Sequence, residues 1–264
     1  VYADTIARRF GDRLASIATH NEPWCTAVLG HRTGQFAPGL RDAQIAADVS
    51  HHLLVSHGMA TSAIRATNAR VPIGIVLNQS PATPATVDDI ALAETQYADL
   101  VRWYMDPLFF ARYPQGPGLT QPANVRAGDF ALISQPLDWL GVNYYTRLWS
   151  SGAQPPISPP KLRGETDMGW EIYPQGLTEL LTTLKRDYGD MLPPLAISEN
   201  GMAHADQLEA GAVIDPGRIS YLDAHLAALR DAIRLGVDVR SYFCWSLMDN
   251  FEWNSGYAKR FGLV

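Results

Sequence analysis

An alternation constrains this chain more than any other feature. Short apolar runs, each closing on polar or aromatic residues, are separated by longer stretches with helical spacing. Arg13 to Thr19 closes on His20-Asn21-Glu22-Pro23, Val71 to Leu77 on Asn78, and Leu137 to Val142 on Asn143-Tyr144-Tyr145. Leu195 to Ser198 closes on Glu199-Asn200-Gly201, and Arg240 to Trp245 runs into the acidic, aromatic stretch Met248 to Trp253. Between them, Gln44 to Ala66 repeats apolar residues (Ile45, Val49, Leu53, Met59, Ile64) at the period of a helix. Helices are likewise expected over Val87 to Phe110, opened by Asp88 and Asp89, over Tyr173 to Tyr188, and over Ile219 to Leu235, stopped by Gly236. Val1 to Gly11 reads as the tail of another. Loops are expected from Pro23 to Gly39, over Ser80 to Pro84, and over the proline-rich Ser150 to Lys161.

Strand and helix in strict alternation predict βα units around a mainly parallel sheet. Two α/β architectures fit. A doubly wound, flavodoxin-like sheet should carry a glycine-rich phosphate loop after an early strand, and none is found. Polar side chains gathered at strand C-termini are instead the habit of the (β/α)8 TIM-type barrel. With five strands it would be incomplete, and residues 1–264 are read as a single partial barrel domain.

Charge and composition narrow the function. A net charge of −6 argues against nucleic acid. No apolar run approaches the ~20 residues that span a bilayer, so no membrane partner is expected. Two cysteines, Cys25 and Cys244, imply no disulfide framework and point to a reducing, cytoplasmic setting. Seven Trp and eleven Tyr hint at a ligand that stacks on aromatic faces.

Two carboxylates stand at strand ends. Glu199 alone reads equally well as an acid beside a hairpin turn, because Asn-Gly between apolar runs is a strong reversal signal. Glu22 precedes Pro23, which should hold its backbone extended. A pair of carboxyl groups in unlike environments can divide acid and base roles. Retaining glycoside hydrolysis demands such a pair, with the groups ~5–5.5 Å apart.

Four stretches carry a family resemblance. Thr19-His20-Asn21-Glu22-Pro23-Trp24 resembles the T-x-N-E-P motif of glycoside hydrolase family 1, and Ile197-Ser198-Glu199-Asn200-Gly201 its I/V-T/S-E-N-G motif. Gly141-Val142-Asn143-Tyr144-Tyr145 and Trp245-Ser246-Leu247-Met248-Asp249-Asn250-Phe251-Glu252-Trp253 resemble two further signatures, in the family's order. The resemblance implies a retaining β-glycosidase without a cofactor, acting on a β-glucoside or short β-linked oligosaccharide. Glu22 would be the acid/base and Glu199 the nucleophile. Asn21 would bind the sugar 2-hydroxyl, Tyr145 would hold the nucleophile ionised with Asn143 beside it, and Trp245 would floor the glycone pocket. Glu252 would accept from the 4- and 6-hydroxyls, Trp253 would donate to the sugar's far edge, and Asn78 and Trp170 would line the aglycone side. An acid at Glu252 would repel a sugar phosphate, so an unphosphorylated gluco-configured glycone is expected, with galactosides and fucosides also in range. Glu22 also separates the chain from the thioglucosidase branch, which carries glutamine there.

Taken singly, Tyr145 and Trp245 read as core aromatics and Glu252 as a solvated loop acid. His51, His52 and His57 share one helix without the i, i+4 pairing of a zincin, and no metal is expected. Phe36 stands where the family usually has histidine. The resemblance covers the family's strands four to eight and leaves its first three βα units and last helix outside. If this were the whole polypeptide, the open edges of strands four and eight would favour a homo-oligomer. The alternative function, from another class, is a catalytically weak or dead sugar-binding or interaction module.

Overall fold

The structure is a computed structural model that describes residues 1–67 and 70–264. After helix α1 (Tyr2–Phe10), strand β1 (Ile17–Asn21) leads through a π-helical segment, Cys25–Arg32, to α2 (Ala43–Arg65). Strand β2 (Ile73–Asn78) is followed by α3 (Ile90–Tyr97) and α4 (Trp103–Phe110), and β3 (Trp139–Asn143) by α5 (Gln175–Tyr188). Strand β4 (Leu195–Asn200), α6 (Pro216–Arg234) and β5 (Val239–Cys244) complete the repeat.

The five strands hydrogen-bond in chain order, β1-β2-β3-β4-β5. Strand β1 pairs parallel with β2, Ile17 opposite Ile73 and Asn21 opposite Val76, with a register shift between Ala18 and Asn21. The N–H groups of Leu140 and Tyr144 donate to the carbonyls of Pro194 and Glu199, so β3 and β4 are parallel too. A helix carries the chain from each strand to the next, as parallel pairing requires. Strands β2 to β4 are almost continuously buried, the mark of a sheet covered on both faces.

Two compact units divide the chain. The first comprises Val1–Asn78, Ala98–Val142 and Asp190–Leu195. Its core includes Ile64, Val71 and Ile73 packed with Ala7 of α1. Here α2 buries only part of the apolar set that its spacing marks: Ile64 is buried but Ile45 and Met59 are exposed, while Ala46, Ala47, His51, Leu54, His57 and Gly58 are buried as well. At Gly58 the neighbouring backbone comes too close for any side chain. A Cβ at Gly58 would stand 2.2 Å from the Leu132 carbonyl oxygen.

The second unit comprises Gln79–Tyr97, Asn143–Gly189 and Ala196–Val264. Leu177, Leu180, Leu181 and Leu184 of α5 are fully buried, at the 3–4 residue spacing of one helical face. Arg147 and Glu171, both nearly inaccessible, form a bidentate pair at 2.8 and 2.9 Å.

Several expectations need correction. The long helix over Val87 to Phe110 is a 3-10 turn (Val87–Asp89), α3, a π turn (Ala98–Arg102) and α4 in succession. The loop expected after Pro23 is largely the π-helical segment, with Ala27, Val28 and Gly30 buried. Ser80 to Pro84 is not all loop, because Ala82–Pro84 pairs parallel with Leu148–Ser150. Of the two readings of Asn200-Gly201, the strand end holds and the hairpin does not: Asn200 is the last residue of β4, and neither residue has positive φ. Gly201 is needed for a different reason, since a Cβ there would fall 1.8 Å from the Trp245 carbonyl oxygen.

Candidate active site

In the first unit, β1 ends at Asn21, which is exposed, and Glu22 follows half-buried. The two residues before them tie the strand to α2. Thr19 Oγ1 lies 2.6 Å from His57 Nδ1, and His20 Nε2 lies 2.7 Å from Ser56 Oγ. Burial lowers His57 to about 4, so it is a neutral partner at ordinary pH; burial lowers His20 as well.

Pro23 does keep Glu22 out of the right-handed helical region. The backbone is not extended, however. Its φ is +48°, left-handed, a conformation disfavoured for a residue with a Cβ. Two hydrogen bonds hold it there: the Glu22 N–H donates to the Val76 carbonyl at 2.9 Å, and the Glu22 carbonyl accepts from the Cys25 N–H at 2.9 Å. The Cys25 thiol donates to Glu22 Oε2 at 3.0 Å. Asn78, at the end of β2, is half-buried.

In the second unit, Glu199 sits half-buried on β4, two residues beyond the fully buried Ile197. The Tyr145 hydroxyl donates to its Oε2 at 2.7 Å. Tyr145 is braced by rings, with Trp170 at 5.2 Å and the buried Phe261 edge-on at 6.1 Å between centroids. Asn143 is buried, and its Oδ1 accepts from Ser198 Oγ at 2.6 Å. Its side chain thus grips the residue beside Glu199.

The structure also brings in groups that the sequence reading left out. Asn200 is fully buried and makes three side-chain hydrogen bonds: Nδ2 donates to the Tyr144 carbonyl (2.7 Å) and to the Tyr221 hydroxyl (3.1 Å), and Oδ1 accepts from the Tyr242 hydroxyl (2.7 Å). The signal for Asn200 was its place beside Glu199. For Tyr242 there was none beyond its position in the last apolar run.

The remaining candidates lie after β5. Trp245 is half-buried, and its N–H donates to the Asn200 carbonyl at 3.0 Å. Glu252 Oε2 accepts from Asn250 Nδ2 at 3.0 Å. Trp253 is 65% exposed, with φ +47°. Among the described residues, no group of three or more His, Cys, Asp or Glu side chains is placed to hold a metal ion. No helix among them is long and apolar enough to cross a membrane.

A parallel sheet in chain order, with helical crossovers and polar side chains at the strand ends, defines an α/β protein of the (β/α)8-barrel class, here with five of its strands. The chain belongs to glycosyl hydrolase family 1, whose family model matches residues 1–264. It is 41% identical to beta-glucosidase A of Acetivibrio thermocellus, over 100% of this chain and 62% of that protein. It is also 41% identical to a beta-glucosidase of an Agrobacterium species, over 100% of this chain and 60% of that protein. The solved structure of the Thermotoga maritima beta-glucosidase in complex with deoxynojirimycin superposes with a TM-score of 0.91 at 35% identity, covering 100% of this chain and 61% of that one. The chain therefore spans roughly three-fifths of the length of the relatives it matches.

Proposed function

We propose that this chain carries the catalytic carboxylates of a retaining β-glycosidase that cleaves terminal, unphosphorylated β-D-glucosides by double displacement. Glu199 attacks the anomeric carbon while the Glu22 carboxylic acid gives its proton to the glycosidic oxygen, and the aglycone departs as an alcohol. The Glu22 carboxylate then takes a proton from water, whose oxygen attacks the anomeric carbon and releases Glu199 with the configuration retained. Glu22 serves first as acid and then as base.

The observation that carries this reading is the hydrogen bond from the Tyr145 hydroxyl to Glu199 Oε2. A donor on that oxygen stabilises the carboxylate needed for attack. Family membership and the beta-glucosidase relatives support the substrate class. In the same reading Asn21 binds the 2-hydroxyl, Trp245 floors the sugar ring, Glu252 and Trp253 take its far hydroxyls, and Asn78 and Trp170 line the aglycone side. Two cysteines that form no disulfide suit a cytoplasmic setting.

The test is Glu199→Ala in the full-length protein. Cleavage of an aryl β-D-glucoside should be abolished, and added azide should restore part of it by yielding the α-glucosyl azide. Undiminished turnover without azide would refute the assignment.

A further inference from the structure

We propose that Cys25 is a positioning residue for the Glu22 carboxyl, its thiol fixing which oxygen carries the transferable proton. The inference rests on the acid/base reading of Glu22.

Cys25 holds Glu22 at both ends. Its N–H donates to the Glu22 carbonyl at 2.9 Å, and its thiol donates to Oε2 at 3.0 Å. With the Glu22 N–H on Val76, the left-handed backbone and the carboxyl are fixed together. The thiol is placed by its own element, since Cys25 opens the π-helical segment whose Ala27, Val28 and Gly30 are buried. The carboxyl is therefore anchored to packed structure on the side of Oε2.

The chemical consequence follows from where the proton can sit. An oxygen already accepting from S–H is a poor place for the carboxylic proton, so the neutral acid carries it on Oε1. That oxygen then protonates the departing glycosidic oxygen and afterwards accepts the proton of the incoming water. The thiol proton stays on sulfur throughout, and no bond to Cys25 forms or breaks. Removing the donor takes from Oε2 the bond that disfavours the proton there and frees the carboxyl from one of its anchors, which weakens acid catalysis in particular.

Leaving-group dependence separates this role from a structural one. Phenyl β-D-glucoside needs protonation to depart, whereas 2,4-dinitrophenyl β-D-glucoside does not. In the full-length protein, Cys25→Ala and the near-isosteric Cys25→Val should lower kcat/KM for the phenyl substrate about tenfold more than for the dinitrophenyl one, the scale of one lost hydrogen bond. Cys25→Ser, which keeps a donor, should return the ratio of the two kcat/KM values to within about threefold of the unsubstituted protein. An unchanged ratio, or an equal loss on both substrates, overturns the proposal. Glu22→Gln marks the other failure. If it moves the ratio and the cysteine variants do not, only the role of Cys25 falls; if it leaves the ratio unmoved, the acid/base reading itself falls.

Discussion

The Tyr145 hydroxyl and Glu199 Oε2 are 2.7 Å apart, although 54 residues separate them in sequence. Tyr145 follows the end of β3 and Glu199 lies on β4, so parallel pairing of adjacent strands brings them together. The ring is held by Trp170 and Phe261 independently of its hydroxyl. Tyr145→Phe should therefore keep the fold and lose the donor. Steady-state kinetics on p-nitrophenyl β-D-glucoside should show kcat/KM lowered roughly 10- to 100-fold, the range for a hydrogen bond to a charged group. The melting temperature should stay within a few degrees. Kinetics equal to the unsubstituted protein would remove Tyr145 from the proposed machinery.

Asn200 extends that relationship one residue further. Its amide satisfies the Tyr144 carbonyl and the Tyr221 and Tyr242 hydroxyls, all by way of a fully buried side chain. Asn200→Ala would leave two or more of those groups without a partner in a site closed to water. Urea unfolding should register a loss of about 2–4 kcal/mol, from desolvated groups left unpaired. Tyr242→Phe removes only one of the bonds and should cost about 1 kcal/mol. If the two variants prove equally stable, the amide network is not what holds the end of β4.

These two cases show what was legible in the sequence. The strands and their order were readable because a buried parallel strand is an apolar run with a polar stop, and β2, β3 and β4 all follow that pattern. The inward face of α2 was only partly readable. Hydrophobicity pointed to Ile64, which is buried, but also to Ile45 and Met59, which are exposed, and close approach of the Leu132 backbone required Gly58. At Asn200-Gly201 local turn propensity left a hairpin open beside a strand end; the strand end holds, and Gly201 is required by the Trp245 carbonyl just after β5. The positive φ of Glu22 was equally hidden, because proline biases the preceding residue towards the extended region and only the hydrogen bonds to Val76 and Cys25, made by the fold, override that bias. The Cys25 thiol and the Tyr242 hydroxyl were hidden as well, being single side chains whose partners only the fold reveals.

Two buried histidines set an acid limit on stability. His57 and His225 are both lowered from 6.5 to about 4, chiefly by burial; neighbouring charge at His20 and Arg65 adds to the effect on His57, while the Tyr221 carbonyl opposes it at His225. Each is neutral in the folded protein, and each would take up a proton on unfolding once the pH falls below about 6.5. Stability is therefore intact above that value, declines as the pH drops from about 6.5 towards 4, and loses nothing further from these groups below about 4. Between pH 7 and pH 5 the loss is on the order of 2 kcal/mol for each histidine. Denaturant unfolding at the two pH values should show it directly. His225→Gln, compared with its own value at pH 7, should reduce the pH-dependent loss by about that amount, because glutamine does not titrate. A variant with the full pH dependence of the unsubstituted protein would place the acid sensitivity elsewhere.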